Sequence, residues 1–242
     1  MYRMLLSSLL LQLCLPVAAK PVGDPVLEAV HHLDPTAIIT SRVTGPLPDL
    51  VTAVVNGQPL YISTDGRYVF QGQLFDLERH ENLSDRIRAS SRLSAIKSIP
   101  PGDRISFAAR KPLYRVTVFV DIECGYCHQL VANLDGYLHQ GISIDFVAYP
   151  RDGLSSSAYK EAEAVWCSDD RHKALRTAYD AKPSGTTGCT NPVAREFNLA
   201  QALEIPGTPG IVAEDGSIVG GFLTPVELRQ RLDQLNLKGI TK

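Results

Sequence analysis

Val116 to Val120 is a near-continuous apolar, β-branched run that leads directly into Asp121-Ile122-Glu123-Cys124-Gly125-Tyr126-Cys127-His128. Such a run predicts a strand buried on both faces. Beyond Cys127, Leu130, Val131, Leu134 and Leu138 recur at helical spacing until Gly141, which predicts a helix ending there. The two cysteines thus fall at a strand-to-helix turn, with Cys124 at the helix N-terminus. Unpaired backbone N–H groups and the positive end of the helix dipole favour a thiolate at that place. Cysteines so placed have their pKa lowered from about 8.5 into the ~3.5–7.5 range. Cys127, one turn further in, is positioned to attack a mixed disulfide formed on Cys124. The pattern reads as a redox dithiol, with Gly125-Tyr126 as its intervening dipeptide.

Three other readings compete with it. A structural disulfide between Cys124 and Cys127 would close too short a loop to contribute much chain-entropy stabilisation. Half a zinc site lacks its other half, since no second C-x-x-C follows. Cys124-x-x-Cys127-His128 also matches the attachment motif for c-type haem. The only methionines, Met1 and Met4, lie in a segment expected to be removed, and haem leaves the buried strand unexplained. Neither a metal nor a cofactor is expected.

Arg3, the apolar run Leu5–Leu15 and Val17-Ala18-Ala19 read as a secretory signal peptide over residues 1–19. The run is shorter than the ~20 residues of a membrane span. Its removal takes away Cys14, and also Arg3 without any acid, so the formal charge of −2 becomes one unit more negative. So mild a charge argues against nucleic acid as a partner.

The remaining length suits two domains. In the first, over residues 20–80, Asp24 and Pro25 start a short helix through Leu33. Strand-like runs follow at Val51–Val55, Leu60–Ser63, Tyr68–Gln71 and Leu74–Leu77, with Asn56-Gly57 and Asp65-Gly66 as hairpin turns. A unit so small buries too little surface to be comfortable alone, which points to a partner. Residues 81–103 carry a largely polar helix from Leu83 to Lys97, a pattern that suits a linker crossing solvent, and Ile99-Pro100-Pro101-Gly102 ends it. Residues 104–242 alternate strand and helix: a strand at Ile142–Tyr149, then helices at Ala158–Ser168, Asp170–Tyr179 and Pro192–Leu203. A strand pair follows around Asp215-Gly216, and a last helix is started by Thr224-Pro225. This order fits an α/β sheet with mixed strand directions. A Gly/Ser/Thr/Pro-rich loop occupies 182–190.

Without Cys14, four cysteines allow three connectivities. If Cys124 and Cys127 are the redox pair, Cys167 and Cys189 are left for each other as a structural bridge. A second redox pair fits less well, because neither has a C-x-x-C neighbour.

Phe119–His128 and Gly207-Thr208-Pro209-Gly210-Ile211-Val212 resemble the thioredoxin-fold domain of the bacterial periplasmic disulfide isomerase family that includes DsbC and DsbG. Ala148–Leu154, Ala164–Cys167 and Cys189 are similar to that family's insertion and its structural disulfide. Val55-Asn56-Gly57, Leu60–Gly66 and Phe70–Asp76 are similar to its dimerisation domain. The resemblance implies a thioredoxin-fold catalytic domain with a helical insertion, preceded by a small α+β dimerisation domain and a linker helix. It implies that Thr208-Pro209 is a cis-proline loop facing the dithiol, where Thr208 pairs with substrate backbone. The chain departs from the pattern at Glu123, a carboxylate where the family commonly has an uncharged residue. A buried acid of the thioredoxin type is replaced by Val118, leaving Asp121 or water to move protons.

The implied activity is that of a homodimeric periplasmic disulfide isomerase and reductase with chaperone-like substrate binding. Its partners would be misoxidised or unfolded secreted proteins and a membrane-embedded thiol reductant. The alternatives are a DsbG-like reductase of sulfenylated cysteines, and a holdase in which the dithiol is dispensable. Gly125 favours the isomerase, because DsbG-type proteins usually carry Pro there.

Overall fold

The computed structural model describes residues 23–180 and 188–240. The signal-peptide segment and Cys14, and most of the 182–190 loop, lie outside the described residues.

The chain opens with α1 (Pro25–Leu33), started by Asp24, whose carboxylate accepts the N–H groups of Val26 and Leu27 at 3.2 Å each. An antiparallel meander follows: β1 (Ile39–Thr44), β2 (Leu50–Val55), β3 (Gln58–Ser63) and β4 (Val69–Phe70), in that spatial order. Asn56 and Gly57 turn the β2–β3 hairpin with φ of 51° and 79°, the left-handed pair that a two-residue hairpin needs. Val26, Ala29 and Val30 of α1 pack on Ala53, Val55 and Ile62 of one sheet face. β1 was missing from the sequence reading because it is an edge strand, exposed along almost its whole length. β5 (Phe75–Asp76) and β6 (Glu81–Asn82) make a short hairpin that feeds α2 (Leu83–Lys97), capped by the Asn82 side chain on Asp85 N–H.

The polar composition of α2 suggests a helix crossing solvent, and the structure adds that one side of it is seated on both neighbouring units. Leu83, Ser84, Arg92 and Ile96 are buried. Tyr61 of β3 bonds to Ser84 at one end, and at the other Arg92 Nε donates to Gly216 O at 2.8 Å. Its polar residues are of two kinds: Asp85, Arg86, Ser90, Ser94 and Lys97 face water, whereas Ser84 and Arg92 are buried on hydrogen bonds.

After a 3-10 turn at Pro101–Asp103 come β7 (Ile105–Phe107), β8 (Tyr114–Val120), α3 (Gly125–Ala132), α4 (Leu134–His139) and β9 (Ile142–Ala148). The helical insertion is α5 (Ser157–Trp166) and α6 (Arg171–Thr177); α7 (Val193–Ala202), β10 (Gly210–Ala213), β11 (Ile218–Gly220) and α8 (Pro225–Ile240) complete the chain. The sheet order is β11-β10-β8-β9-β7, with β8 and β9 parallel and all other neighbours antiparallel. β8 is buried on both faces from Val116 onward, as its composition requires. On one face Val118, Val120, Ile144 and Phe146 meet Leu130, Leu134 and Trp166; on the other Phe119, Val147 and Val212 meet Ile96, Ile99, Leu203 and Ile205. The single helix expected from 127 to 141 is broken at Asn133, whose side-chain amide donates to Gln129 O at 2.9 Å. A side chain that competes for a helical carbonyl in this way bends or ends the helix. Cys167 and Cys189 form a disulfide across 22 residues, with S–S of 2.00 Å. Among the described residues, no helix is long and apolar enough to cross a membrane.

Candidate active site

Asp121 ends the buried strand, and its carbonyl oxygen accepts the Cys124 N–H at 3.2 Å. Its carboxylate accepts the Glu123 N–H at 2.9 Å, so both ends of Asp121 fold the chain into the turn. Cys124 then stands as the N-cap of α3, with extended backbone (φ −91°, ψ 117°). The thiols of Cys124 and Cys127 are free and buried. Cys124 retains 6% exposure and Cys127 none, so an approaching molecule meets Cys124 first.

The environment separates the two thiols. The Cys124 thiol is brought down to about 5, chiefly by the hydrogen bond from Cys127, with Thr208 and the N–H groups of Cys127 and Tyr126 adding to it against the opposing effect of burial. Burial pushes the Cys127 thiol far up, and its hydrogen bond to Cys124 adds to the rise. A low value for one and a high value for the other is the arrangement of an attacking and a held-back thiol.

The Thr208–Pro209 peptide bond is cis, and Thr208 O lies 3.2 Å from Cys124 Sγ as acceptor of the thiol. Thr208 Oγ1 is buried without a hydrogen-bond partner in this state. The Thr208 side chain also favours the Cys124 thiolate. The loop therefore serves both protonation states of Cys124.

Around the pair, Asp121 is 2% exposed and its Oδ2 accepts the N–H and Nε of Arg151 at 3.0 and 3.2 Å. Glu123 is exposed, and Gly125 and Tyr126 form the outer edge of the turn. The Tyr126 ring stacks on Phe222, 5.9 Å between centroids. No cluster of three or more histidine, cysteine or acidic side chains that could hold a metal occurs among the described residues. The fold thus brings together Cys124, Gly125, Tyr126, Cys127, Thr208 and Pro209. Cys167 and Cys189 are joined to each other instead, beyond α5. Sequence reasoning missed Arg151, Phe222 and Tyr179, whose hydroxyl reaches Asp121 O at 3.3 Å. Arg151 lies in the Ala148–Leu154 motif, which gives no hint of its contact with Asp121, and Phe222 and Tyr179 sit in no motif at all.

A family model described as a thioredoxin-like domain matches residues 105–236. Another, for the disulfide bond isomerase protein N-terminal domain, matches residues 17–85. The thiol:disulfide interchange protein DsbC of Dickeya dadantii is 33% identical over 190 residues, covering 78% of each chain. That of Salmonella typhimurium is 30% identical over 221 residues, covering 86% of this chain and 91% of the relative. Among solved structures, the disulfide interchange protein from Neisseria gonorrhoeae aligns with a TM-score of 0.49 and 25% identity, covering 55% of this chain and 94% of that one. With its five-stranded sheet in the thioredoxin-like match and its meander in the isomerase-specific one, this chain belongs to the DsbC family of thiol:disulfide interchange proteins.

Proposed function

We propose that this enzyme is a periplasmic disulfide isomerase and reductase in which Cys124 attacks and Cys127 resolves. The observation that carries the reading is the contrast between the thiols: Cys124 at a helix N-terminus and brought down to about 5, Cys127 fully buried and pushed up. At neutral pH Cys124 is a thiolate. It attacks one sulfur of a wrong substrate disulfide, forming a mixed disulfide and releasing the other sulfur as a thiolate. If a substrate thiolate then attacks the mixed disulfide, Cys124 is returned reduced and the substrate bond has moved, with no net electron transfer. If Cys127 loses its proton and attacks Cys124, the substrate is reduced by two electrons and the site is left oxidised. Its raised pKa makes Cys127 slow to ionise, which leaves time for the isomerising exchange. Asp121, or a water beside it, would accept the Cys127 proton.

Each reducing turnover oxidises the site, so a membrane-embedded thiol reductant is the required partner in a compartment that otherwise oxidises thiols. The Cys167–Cys189 bridge supports such a compartment, as does the signal-like segment 1–19. We divide the mature chain into a pairing domain at 20–80, a connecting helix at 81–103 and a catalytic domain at 104–242. Exposed Tyr68, Phe70, Phe75 and Leu77, beside the edge strand β4, support homodimerisation through the first domain. Pairing would put two dithiols before one unfolded chain, which gains avidity and chaperone-like retention.

The test is refolding of a scrambled multi-disulfide protein by wild type, Cys127→Ala and Cys124→Ala. The expected result is that Cys127→Ala keeps isomerisation when thiol is supplied and loses net reduction, whereas Cys124→Ala loses both. A Cys124→Ala variant as active as wild type would leave only a holdase. Preference for sulfenylated cysteines over scrambled disulfides would instead favour the DsbG-like reductase.

A further inference from the structure

The helical insertion carries, at the end of α6, a side-chain cluster that the dithiol chemistry above does not use. Leu175 and Ala178 are buried in the same core as Cys127 and Leu130, which brings the next residue, Tyr179, onto the first turn of α3. Its hydroxyl donates to Asp121 O at 3.3 Å, the same oxygen that accepts the Cys124 N–H at 3.2 Å. Its ring lies parallel to the His128 imidazole, with 5.6 Å between centroids. Asp180 closes the cluster, with Oδ1 3.3 Å from His128 Nε2. One residue from the insertion therefore touches both the carbonyl that folds the Cys124 turn and the residue that follows Cys127.

We propose that Tyr179 is a positioning residue for Cys124, holding the Asp121 carbonyl and the first turn of α3 in the arrangement that favours the attacking thiolate. A carbonyl oxygen has two lone pairs and carries partial negative charge. Beside a buried dithiol, an oxygen with only one donor opposes ionisation of a nearby thiol; the Tyr179 hydroxyl supplies the second donor. That hydroxyl stays protonated, because burial first, and then the charges of Cys127, Cys124 and Asp121, hold its pKa well above the ordinary tyrosine value. Tyr179 lies inside the loop that Cys167–Cys189 closes. The bridge thereby acquires a second consequence, since it limits how far the residue can leave the site.

The inference rests on Cys124 being the attacking thiolate, a reading tested separately by the wild-type alkylation profile. The other charged and titratable groups around the pair are Glu123 before Cys124, Tyr126, Cys127 and His128 on α3, Asp121 and Arg151 facing it, and Asp180 beside Tyr179. All are retained in the variants. The experiment is alkylation of Cys124 against pH, with the dithiol reduction potential, in wild type, Tyr179→Phe and Tyr179→Leu. Removing one neutral hydrogen bond should raise the Cys124 pKa by about half a unit in Tyr179→Phe. Labelling at pH 5 then slows about twofold, while the rate at pH 8 hardly changes. Tyr179→Leu, which also loses the stack on His128, should shift the midpoint further and change the potential. Wild-type midpoint and potential in both variants, even with a lower Tm, would reduce Tyr179 to a packing residue and overturn the proposal. A wild-type midpoint near the ordinary thiol value would instead overturn the reading of Cys124 itself.

Discussion

Glu196 on α7 is fully buried, and it is the best place to perturb the catalytic domain by a single proton. Its Oε2 accepts the Ala148 N–H at 2.7 Å, while Oε1 is buried without a partner. Burial raises its pKa from 4.5 to about 8; Asp103 adds to the rise, and the Ala148 N–H, Arg195 and Arg104 oppose it. The folded protein therefore keeps this proton up to about pH 8, whereas the unfolded chain releases it near 4.5. Between those values the unfolded state binds fewer protons, so stability falls as pH rises, and above pH 8 the loss is complete. Each pH unit in the window costs at most about 1.4 kcal/mol, and the whole window at most about 5 kcal/mol. Glu196→Gln keeps an acceptor for Ala148 and cannot ionise. Urea unfolding at pH 5 to 9 can be followed through Trp166, the chain's only tryptophan, which is buried in this domain and donates to Asp103 O. The stability of Glu196→Gln relative to wild type should climb from pH 5 to 8 and then level. Because both proteins share every other titrating group, a difference that stayed flat across the range would refute a neutral Glu196. Ala148 pairs with Val120 at the end of β8, and the following Tyr149 N–H bonds to Val120 O at 2.7 Å.

Replacing both Cys167 and Cys189 by Ala should cost about 3 kcal/mol, from the loop-closure entropy of a 22-residue separation; an unchanged urea midpoint would show that the bridge constrains nothing. Gly216 has φ of 83°, and a Cβ there would overlap Ala89 O, so Gly216→Ala should destabilise the protein by about 1 kcal/mol or more. A wild-type Tm in that variant would mean that α2 is not seated on the β10–β11 turn. A fragment of residues 82–242 should be monomeric by sedimentation and unfold at a higher temperature than a fragment of residues 100–242. Equal Tm values would remove α2 from the catalytic domain's core.

What the sequence disclosed was whatever is local along the chain. Val116–Val120 needs no partner to be read as a buried strand, and the helix spacing after Cys127 places Cys124 at a helix start. The Asn56-Gly57 turn is legible for the same reason, since both its residues take left-handed φ values that Asn and Gly tolerate best. Where a strand is defined by one neighbour, the signal fades. β1 is an exposed edge, and β7 is three residues long and gains its regularity from β9. The site divides along the same line. Cys124 and Cys127 stand in one motif, but Thr208 is 84 residues from Cys124 and was placed beside it only through family resemblance. Arg151 and Tyr179 reach Asp121 from 30 and 58 residues away, and neither the family-like motif around Arg151 nor the stretch around Tyr179 announces that contact. The break at Asn133 was hidden because apolar spacing continues through it, while its cause is a single amide.

α2 shows most clearly why a hydropathy pattern underdetermines a helix's role. Its apolar positions are sparse because its two ends serve different bodies: Ser84 bonds to Tyr61 of the first domain's sheet, while Ile96 joins Phe119, Val147, Leu203, Ile205 and Val212. Neither share is wide enough to form the stripe of an ordinary amphipathic helix. Between them sits Arg92, only 7% exposed, a residue that composition alone assigns to the surface. Burial lowers its pKa, yet its Nε finds the Gly216 carbonyl, and Gly216 must be glycine for the backbones to approach so closely. An arginine that spends a hydrogen bond on a partner 124 residues away is useful only if the approach is fixed. Such a contact resists rotation of α2 about its axis, which apolar packing alone would permit. The first domain is tied to the same helix through Arg88 Nε on Gln58 at 2.8 Å. Arg92 on Gly216 and Arg88 on Gln58 thus join the first domain and the β10–β11 turn through one helix, while the exposed Asp85, Arg86, Ser90, Ser94 and Lys97 give it the composition of a solvent-facing linker.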